Sequence, residues 1–268
     1  MTMNKKVIQI TSSHNEQMKR WKKLHSRKGR MKYQALLVEG EHLVSEAIRA
    51  QVPIRSLIVD EKQEEKVKQL NTSAPIYMLS SSLFHSLMET ESPQGIAAEI
   101  HMKEWKEEEL LAHAPSRSIF LLLDAIQDPG NLGTILRTAE AAGVTGVFIG
   151  KGTVDPYNPK VVRAAMGSIF RLPLVQVDLS LCLPRLKERG IHIIGTSPHA
   201  GKWHFEYTFP SKVAILLGNE GRGVDPALFS FVDEQVMIPM PGGTESLNVA
   251  ITSAILLYER IRQQYLRG

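Results

Sequence analysis

The chain contains one cysteine, Cys182, in 268 residues, so it cannot form an internal disulfide. That usage fits a reducing, cytoplasmic setting. No stretch approaches the roughly 20 apolar residues of a membrane span. The opening Met1-Thr2-Met3-Asn4-Lys5-Lys6 is not followed by the apolar core of a signal peptide, so no membrane association is expected. Histidines are scattered and cysteine is solitary, which argues against a metal site, where ligands cluster. Internal repeats and low-complexity tracts are also missing. What remains is ordinary for a globular protein: 43% hydrophobic and 22% charged residues, enough chain for one large domain or two smaller ones.

Charge is unevenly spread. Residues 1–33 hold ten Lys or Arg against one acid, Glu16, whereas the whole chain carries only +4. A concentrated basic segment on a mildly acidic body is the electrostatic footprint of a polyanion partner, and nucleic acid is the expected one. A solvated helix is the plainer alternative.

Two β/α blocks follow. In the first, Ala35–Glu39, Ser56–Asp60, Ile76–Leu79 and Gly95–Ile100 read as strands, and Glu41–Ala50, Glu61–Leu70 and Ser81–Met88 as helices. The stretch His101–Arg117 reads as a helix plus hinge. From Ser118 onward, strands are expected at Ile119–Asp124, Gly146–Ile149, Leu172–Val177, Ile191–Gly195, Val213–Gly218 and Gln235–Met240. Helices are expected near 131–142, 158–168, 180–189, 225–231 and 246–266. This alternation implies a parallel sheet with helices on both faces. The domain division is therefore 1–105, a linker at 106–117, and 118–268.

Three strands of the second block run into polar, Gly-rich loops: Asp128-Pro129-Gly130-Asn131, Gly218-Asn219-Glu220-Gly221, and Gly242-Gly243-Thr244-Glu245-Ser246. Open α/β sheets bind ligands at the carboxyl ends of their strands, so these loops are expected to build one pocket. In the first, Asn131 is a good helix N-cap, and Arg137 lies off the buried stripe of Leu132, Ile135, Leu136 and Ala139. Arg137 could equally pair with Glu140, three residues on. The second is neither a P-loop nor a dinucleotide fingerprint, since its glycines have the wrong spacing. Its glycines would let a flat ligand approach the backbone, with Glu220 at the pocket floor; a tight turn with a solvated Glu is the alternative. The third leads into a terminal helix, where Ser246 and Asn248 could be plain caps. There Leu247, Ala250, Ile251, Ala254, Tyr258 and Ile261 form an apolar stripe. Val249, Leu256 and Leu257 add apolar surface elsewhere, so this helix is expected to face more than one layer.

Together these segments resemble the SpoU (TrmH-type) family of RNA 2′-O-ribose methyltransferases in the SPOUT superfamily. The first motif is Asp128-Pro129-Gly130-Asn131-Leu132-Gly133-Thr134-Ile135-Leu136-Arg137, the second Leu217-Gly218-Asn219-Glu220-Gly221-Arg222-Gly223, and the third Ile238-Pro239-Met240 with Ser246-Leu247-Asn248-Val249-Ala250. A further similar stretch, Asn158–Ser168, has Ala165 where a serine often sits, and Ala250 departs in the same way. The stretch from His14 to Gly40 is similar to the family's small substrate-binding domain. The resemblance implies an α/β protein with two parts. One is a carboxy-terminal parallel-sheet SPOUT domain with a trefoil knot; the other is a smaller amino-terminal α/β ribosomal-protein-like (L30e-like) RNA-binding domain. It implies S-adenosylmethionine as cofactor, bound by Thr196, Gly218, Asn219, Glu220, Ile238, Met240 and Leu247. Asn131, Arg137, Glu220, Ser246 and Asn248 would form the reacting centre. Lys19, Arg20, Lys22, Lys23, Arg27, Lys160 and Arg163 are candidates for RNA contact, and a homodimer is implied. The expected reaction is methylation of a ribose 2′-hydroxyl, in 23S ribosomal RNA ahead of tRNA. A non-catalytic RNA-binding or ribosome-assembly factor of the same fold is the rival reading.

Overall fold

The computed structural model describes residues 6–63, 72–197 and 200–266. The chain divides into two compact units, Met1–Lys103 with Tyr157–Phe170, and Glu104–Pro156 with Arg171–Gly268.

The first unit runs β1 (Val7–Ile10), α1 (Glu16–Lys23), α2 (Arg27–Tyr33), β2 (Ala35–Glu39), α3 (Glu41–Arg49), β3 (Ile54–Asp60), β4 (Ile76–Leu79), α4 (Ser81–Leu87) and β5 (Ile96–His101). Its five strands form a mixed sheet in the order β1-β4-β3-β5-β2. β1, β4 and β3 are mutually parallel, and β5 runs antiparallel to both β3 and β2. Of the helix expected over Glu61–Leu70, the structure describes a 3-10 turn at Glu61–Gln63; residues 64–70 lie outside the described residues.

The basic segment is more built than its charge suggests. It contributes an edge strand and two helices, each capped by a side chain: Asn15 accepts from the Gln17 amide at 2.8 Å and Ser26 from the Gly29 amide at 3.1 Å. Met18, Trp21 and Leu24 are buried in the core. Arg30 is buried too, its Nη1 donating to the carbonyls of Leu24 and His25 at 3.0 and 2.7 Å. Glu99 on β5 is 2% exposed and accepts from Arg20 Nη2 at 2.5 Å and Trp21 Nε1 at 3.0 Å. Arg20 also lies over the Tyr33 ring. Arg20 and Arg30 therefore serve the fold of this unit.

The second unit continues with α5 (Glu107–Ala112), β6 (Ser118–Leu123), α6 (Pro129–Ala141) and β7 (Gly146–Ile149). After α7 (Pro159–Ala164), which belongs to the first unit, come β8 (Leu174–Gln176), α8 (Leu179–Glu188), β9 (His192–Thr196), β10 (Lys212–Leu217), β11 (Glu234–Val236) and α9 (Val249–Leu266). The sheet is parallel throughout, in the order β11-β9-β10-β6-β7-β8. Central β6 is buried at all six positions, as expected for a strand covered on both faces.

Several boundaries differ from the sequence reading. The helix expected within His101–Arg117 forms as α5, but it is no free linker, since its Leu110 and Leu111 are buried in the second core. The helix expected over 158–168 stops at Ala164, because Met166 and Gly167 adopt left-handed backbone, and resumes as a 3-10 turn at Ser168–Phe170. Residues 226–231 are also 3-10. On α9 the buried set is Val249, Ala250, Ser253, Leu256, Leu257 and Arg260, whereas Ile251 and Tyr258 are half exposed. Both faces are apolar, and periodicity alone could not say which one faces the core.

Register positions the site. Leu217 pairs with Leu123, Leu216 with Gly195, and Thr196 with Val236. The carboxyl ends of β6, β10, β9 and β11 therefore lie level, and the polar loops leave from one edge.

Glu99→Ala is expected to destabilise the first unit by about 3 kcal/mol in denaturant unfolding, because it strands the Arg20 guanidinium and the Trp21 N–H. A loss below about 1 kcal/mol would show that water replaces the carboxylate without penalty.

Candidate functional site

The first loop starts α6. Asp128, not Asn131, is the N-cap: its Oδ1 accepts from the Asn131 amide at 2.7 Å, and Pro129 fills the first helical position. The Asn131 side chain is thereby free for other work. Its Nδ2 donates to Glu220 Oε1 at 3.1 Å, and its Oδ1 accepts from Asn248 Nδ2 at 2.8 Å. Asn248 in turn caps α9, its Oδ1 accepting from the Ala250 amide at 2.9 Å. One chain of side-chain bonds, Asn248 to Asn131 to Glu220, joins all three loops.

Glu220 is exposed within the turn between Asn219 and Gly223, yet its carboxylate is fully engaged. Besides Asn131, it accepts from the backbone amides of Gln127 at 3.2 Å and Asp128 at 3.1 Å. Partial burial pushes its carboxyl up, but the bonds from Asn131 and from the backbone amides together outweigh that, so its pKa lies below the usual value. Glu220 is accordingly an anion at neutral pH and acts as an anchor.

Asn219 performs a parallel task in the second loop. Its Oδ1 accepts from the amides of Gly221 and Arg222 at 3.0 and 3.1 Å, and its Nδ2 donates to the Ala125 carbonyl at 2.8 Å. Ala125 has φ +53°, a left-handed conformation uncommon for alanine, and this bond helps to hold it. Asn219 and Gly223 also exchange two backbone bonds of 2.9 Å. The glycines answer to this turn more than to a ligand. A Cβ on Gly218 would stand 2.1 Å from the Gly223 carbonyl carbon and the Val224 nitrogen, and Gly223 has φ +73°.

Arg137 lies exposed on α6 and has no hydrogen-bond or ion-pair partner among the described residues. The alternative pairing with Glu140 does not occur, since Glu140 binds Arg171. Ser246 is exposed, two residues before Asn248, its carbonyl accepting from Thr244 Oγ1 at 3.3 Å. Thr196, at the end of β9, donates to the Leu216 carbonyl at 3.3 Å. Ile238, Met240 and Leu247 are half-buried, and the amides of Ile238 and Leu247 find no acceptor among the described residues. Half-covered apolar side chains beside unpaired main-chain donors suit a flat heteroaromatic ligand.

Residues 118–258 match the SpoU rRNA Methylase family, and residues 15–98 match the MRM3-like substrate binding domain. This chain belongs to the SpoU rRNA methylase family. It is 44% identical over 251 residues, 93% of its own length and 98% of the relative's, to the 23S rRNA (guanosine(2553)-2′-O)-methyltransferase RlmP of Bacillus subtilis. Among solved structures it is similar to the SpoU methyltransferase AviRb from Streptomyces viridochromogenes in complex with the cofactor AdoMet, with TM-score 0.83 and 28% identity over 94% of this chain and 99% of that one. It is likewise similar to the AdoMet-bound rRNA methyltransferase from Sinorhizobium meliloti, with TM-score 0.84 and 27% identity over 96% and 98%.

The SpoU member described here keeps its expected RNA-contact residues in the first unit. Lys22, Lys23 and Lys160 are exposed, and Arg163 is half-buried. Lys19 pairs with Glu16 at 2.7 Å on an exposed helix face, a bond that RNA could displace at little cost. Arg27 is exposed as well. Arg20 is the correction: its guanidinium is taken up by buried Glu99. Sequence reading also passed over Asp124, whose Oδ2 accepts from the Asp225 amide at 2.8 Å and ties the end of β6 to the chain beyond the second loop. Burial raises its pKa. Its position directly after an all-apolar strand was the available signal.

Because the Glu220 pKa is lowered in the folded chain, the clamp it forms is fully present above the ordinary 4.5 and is lost as pH falls through the folded value. Protection of the Gln127 and Asp128 amides against hydrogen exchange, relative to the intrinsic rate, should be lost only in that acid range. In Glu220→Gln, whose NH2 replaces one of the two acceptor oxygens, at least one of the same amides should lose protection already at neutral pH. Unchanged protection in Glu220→Gln would remove the carboxylate from its anchoring role.

Proposed function

We propose that this chain transfers a methyl group from S-adenosylmethionine to a ribose 2′-hydroxyl of 23S ribosomal RNA. The observation that carries the reading is the Asn248–Asn131–Glu220 chain linking all three motifs at the sheet's carboxyl edge. The 44% identity over nearly the full length of a 23S rRNA 2′-O-methyltransferase supports it. S-adenosylmethionine supplies a methyl already activated by sulfonium charge. Thr196, Gly218, Asn219, Ile238, Met240 and Leu247 would hold it. The fit rests on the half-covered apolar walls and the unpaired amides of Ile238 and Leu247. A trefoil knot in the second unit, an L30e-like fold for the first, a cytoplasmic setting and a homodimer belong to the same reading. The half-exposed Ile251 and Tyr258 and the exposed Tyr265, seven residues apart on α9, are the surface we assign to the second copy.

The chain's own work is to orient the hydroxyl and provide for its proton. Asn131, Asn248 and Ser246 are hydrogen-bonding groups beside the reacting centre, and Glu220 acts through Asn131 as a positioning residue. Arg137 has an exposed guanidinium, without a partner among the described residues, on the helix that carries Asn131, suited to holding the target's phosphate. A guanidinium with a pKa above about 12 has no lone pair to take a proton. The 2′-proton therefore passes to a phosphate oxygen held by Arg137, or to an arginine transiently deprotonated by its surroundings. Lys19, Lys22, Lys23, Arg27, Lys160 and Arg163 are the RNA-contact set.

Labelled cofactor incubated with unmodified 23S rRNA should leave label in one oligonucleotide, and alkaline hydrolysis should skip the bond after the modified nucleotide. Label that does not block hydrolysis would mean a base is the acceptor, and no incorporation would favour a non-catalytic binder. Arg137→Lys should lower turnover by at least about tenfold, since a point charge replaces a bidentate fork. Near-normal turnover with weaker RNA binding would eliminate any proton-transfer role for Arg137.

A further inference from the structure

The chain between β9 and β10 carries two large aromatic side chains on the surface, Trp203 and Phe205, 43% and 45% exposed. Their ring centroids are 5.4 Å apart at an interplanar angle of 47°. The segment is firmly held. The Met237 amide donates to the Lys202 carbonyl at 2.9 Å, and the His204 amide to the Met237 carbonyl at 2.8 Å, so it is laced to the start of the third loop. The Glu206 amide donates to the Trp203 carbonyl at 3.0 Å, closing a turn. Downstream, Gln263 of α9 donates to the Tyr207 carbonyl at 2.7 Å and accepts from the Phe209 amide at 3.0 Å. Tyr207 and Phe209 are buried there, edge to face. Of four aromatic rings in seven residues, two fix the strap and two are left open on it.

Met237 immediately precedes Ile238, so the open rings border the loop assigned to the cofactor. A ribose can be methylated there only if its nucleotide leaves the stack, which strips π contact from neighbouring bases. Exposed aromatic faces on a rigid support recover that contact for any base. The surface assigned to a second copy lies on α9 and is a separate set of residues. We propose that Trp203 and Phe205 form a stacking platform for unpaired RNA bases next to the target nucleotide. This rests on the RNA-methylation reading above, and it adds a binding element outside the three motifs.

Tryptophan fluorescence tests it without catalysis. Trp21 is buried, and a Trp105→Phe background removes the third indole, leaving Trp203 as the responsive one. Titration with a short single-stranded RNA should quench that signal, and the quenching should vanish in Trp203→Leu. In the methyl-transfer assay Trp203→Leu should raise KM for RNA on the order of tenfold, with the loss falling on KM more than on kcat. Trp203→Tyr, which keeps a π face, should restore most of it. Absent quenching with an unchanged KM would overturn the platform, as would Leu serving as well as Tyr. A drop of Trp203→Leu to half the native mass in light scattering would overturn it too, by showing that the rings cover a second copy. RNA quenching in a wild-type protein that transfers no methyl would leave the platform standing and fail the methylation reading.

Discussion

The site depends on one carboxylate shared between loops. Glu220 accepts from two backbone amides of the first loop and from the Asn131 side chain. Asn131 then reaches Asn248 at the start of the last helix. Remove that acceptor and three segments distant in sequence lose their common reference. A charged acceptor is suited to the task because hydrogen bonds to an ion are stronger than those between neutral groups. An isosteric amide would keep one acceptor oxygen but turn its NH2 toward a donor on the other side.

Around this clamp the structure separates holding from reacting. Asn219 and Gly218 shape the second loop, Asp128 caps the helix, and Asp124 ties β6 to Asp225. Arg137, by contrast, stands without a partner among the described residues. The same division appears in the first unit, where Arg20 and Arg30 are consumed by internal acceptors while Lys22 and Lys23 stay exposed. Basic residues in one short segment thus have opposite duties, and charge counting could not separate them.

Much was legible before any coordinates. The apolar runs at Leu121–Leu123, Val213–Leu217 and Gly146–Ile149 sit within a few residues of where strands form, because a parallel sheet buried on both faces demands continuous apolar sequence. The loops at strand ends pointed to Asn131, Glu220 and Asn248 because ligands bind at the carboxyl ends of the strands of an open α/β sheet. What failed had a common cause. The N-cap was assigned to Asn131 instead of Asp128, and Arg137 was weighed as a partner of Glu140. In each case local spacing allowed two partners, and contacts far along the chain chose between them.

The sequence by itself determined the alternation of strands and helices, the family and the residues of the three motifs, since these follow from period, composition and order along the chain. Tertiary structure alone decided what those residues do to one another. Strand register together with the packing of α9 on α6 brings residues 131, 220 and 248 within hydrogen-bonding distance, because bonds 2.8–3.1 Å long between groups about 90 and 117 positions apart are set by packing and leave no trace in local pattern.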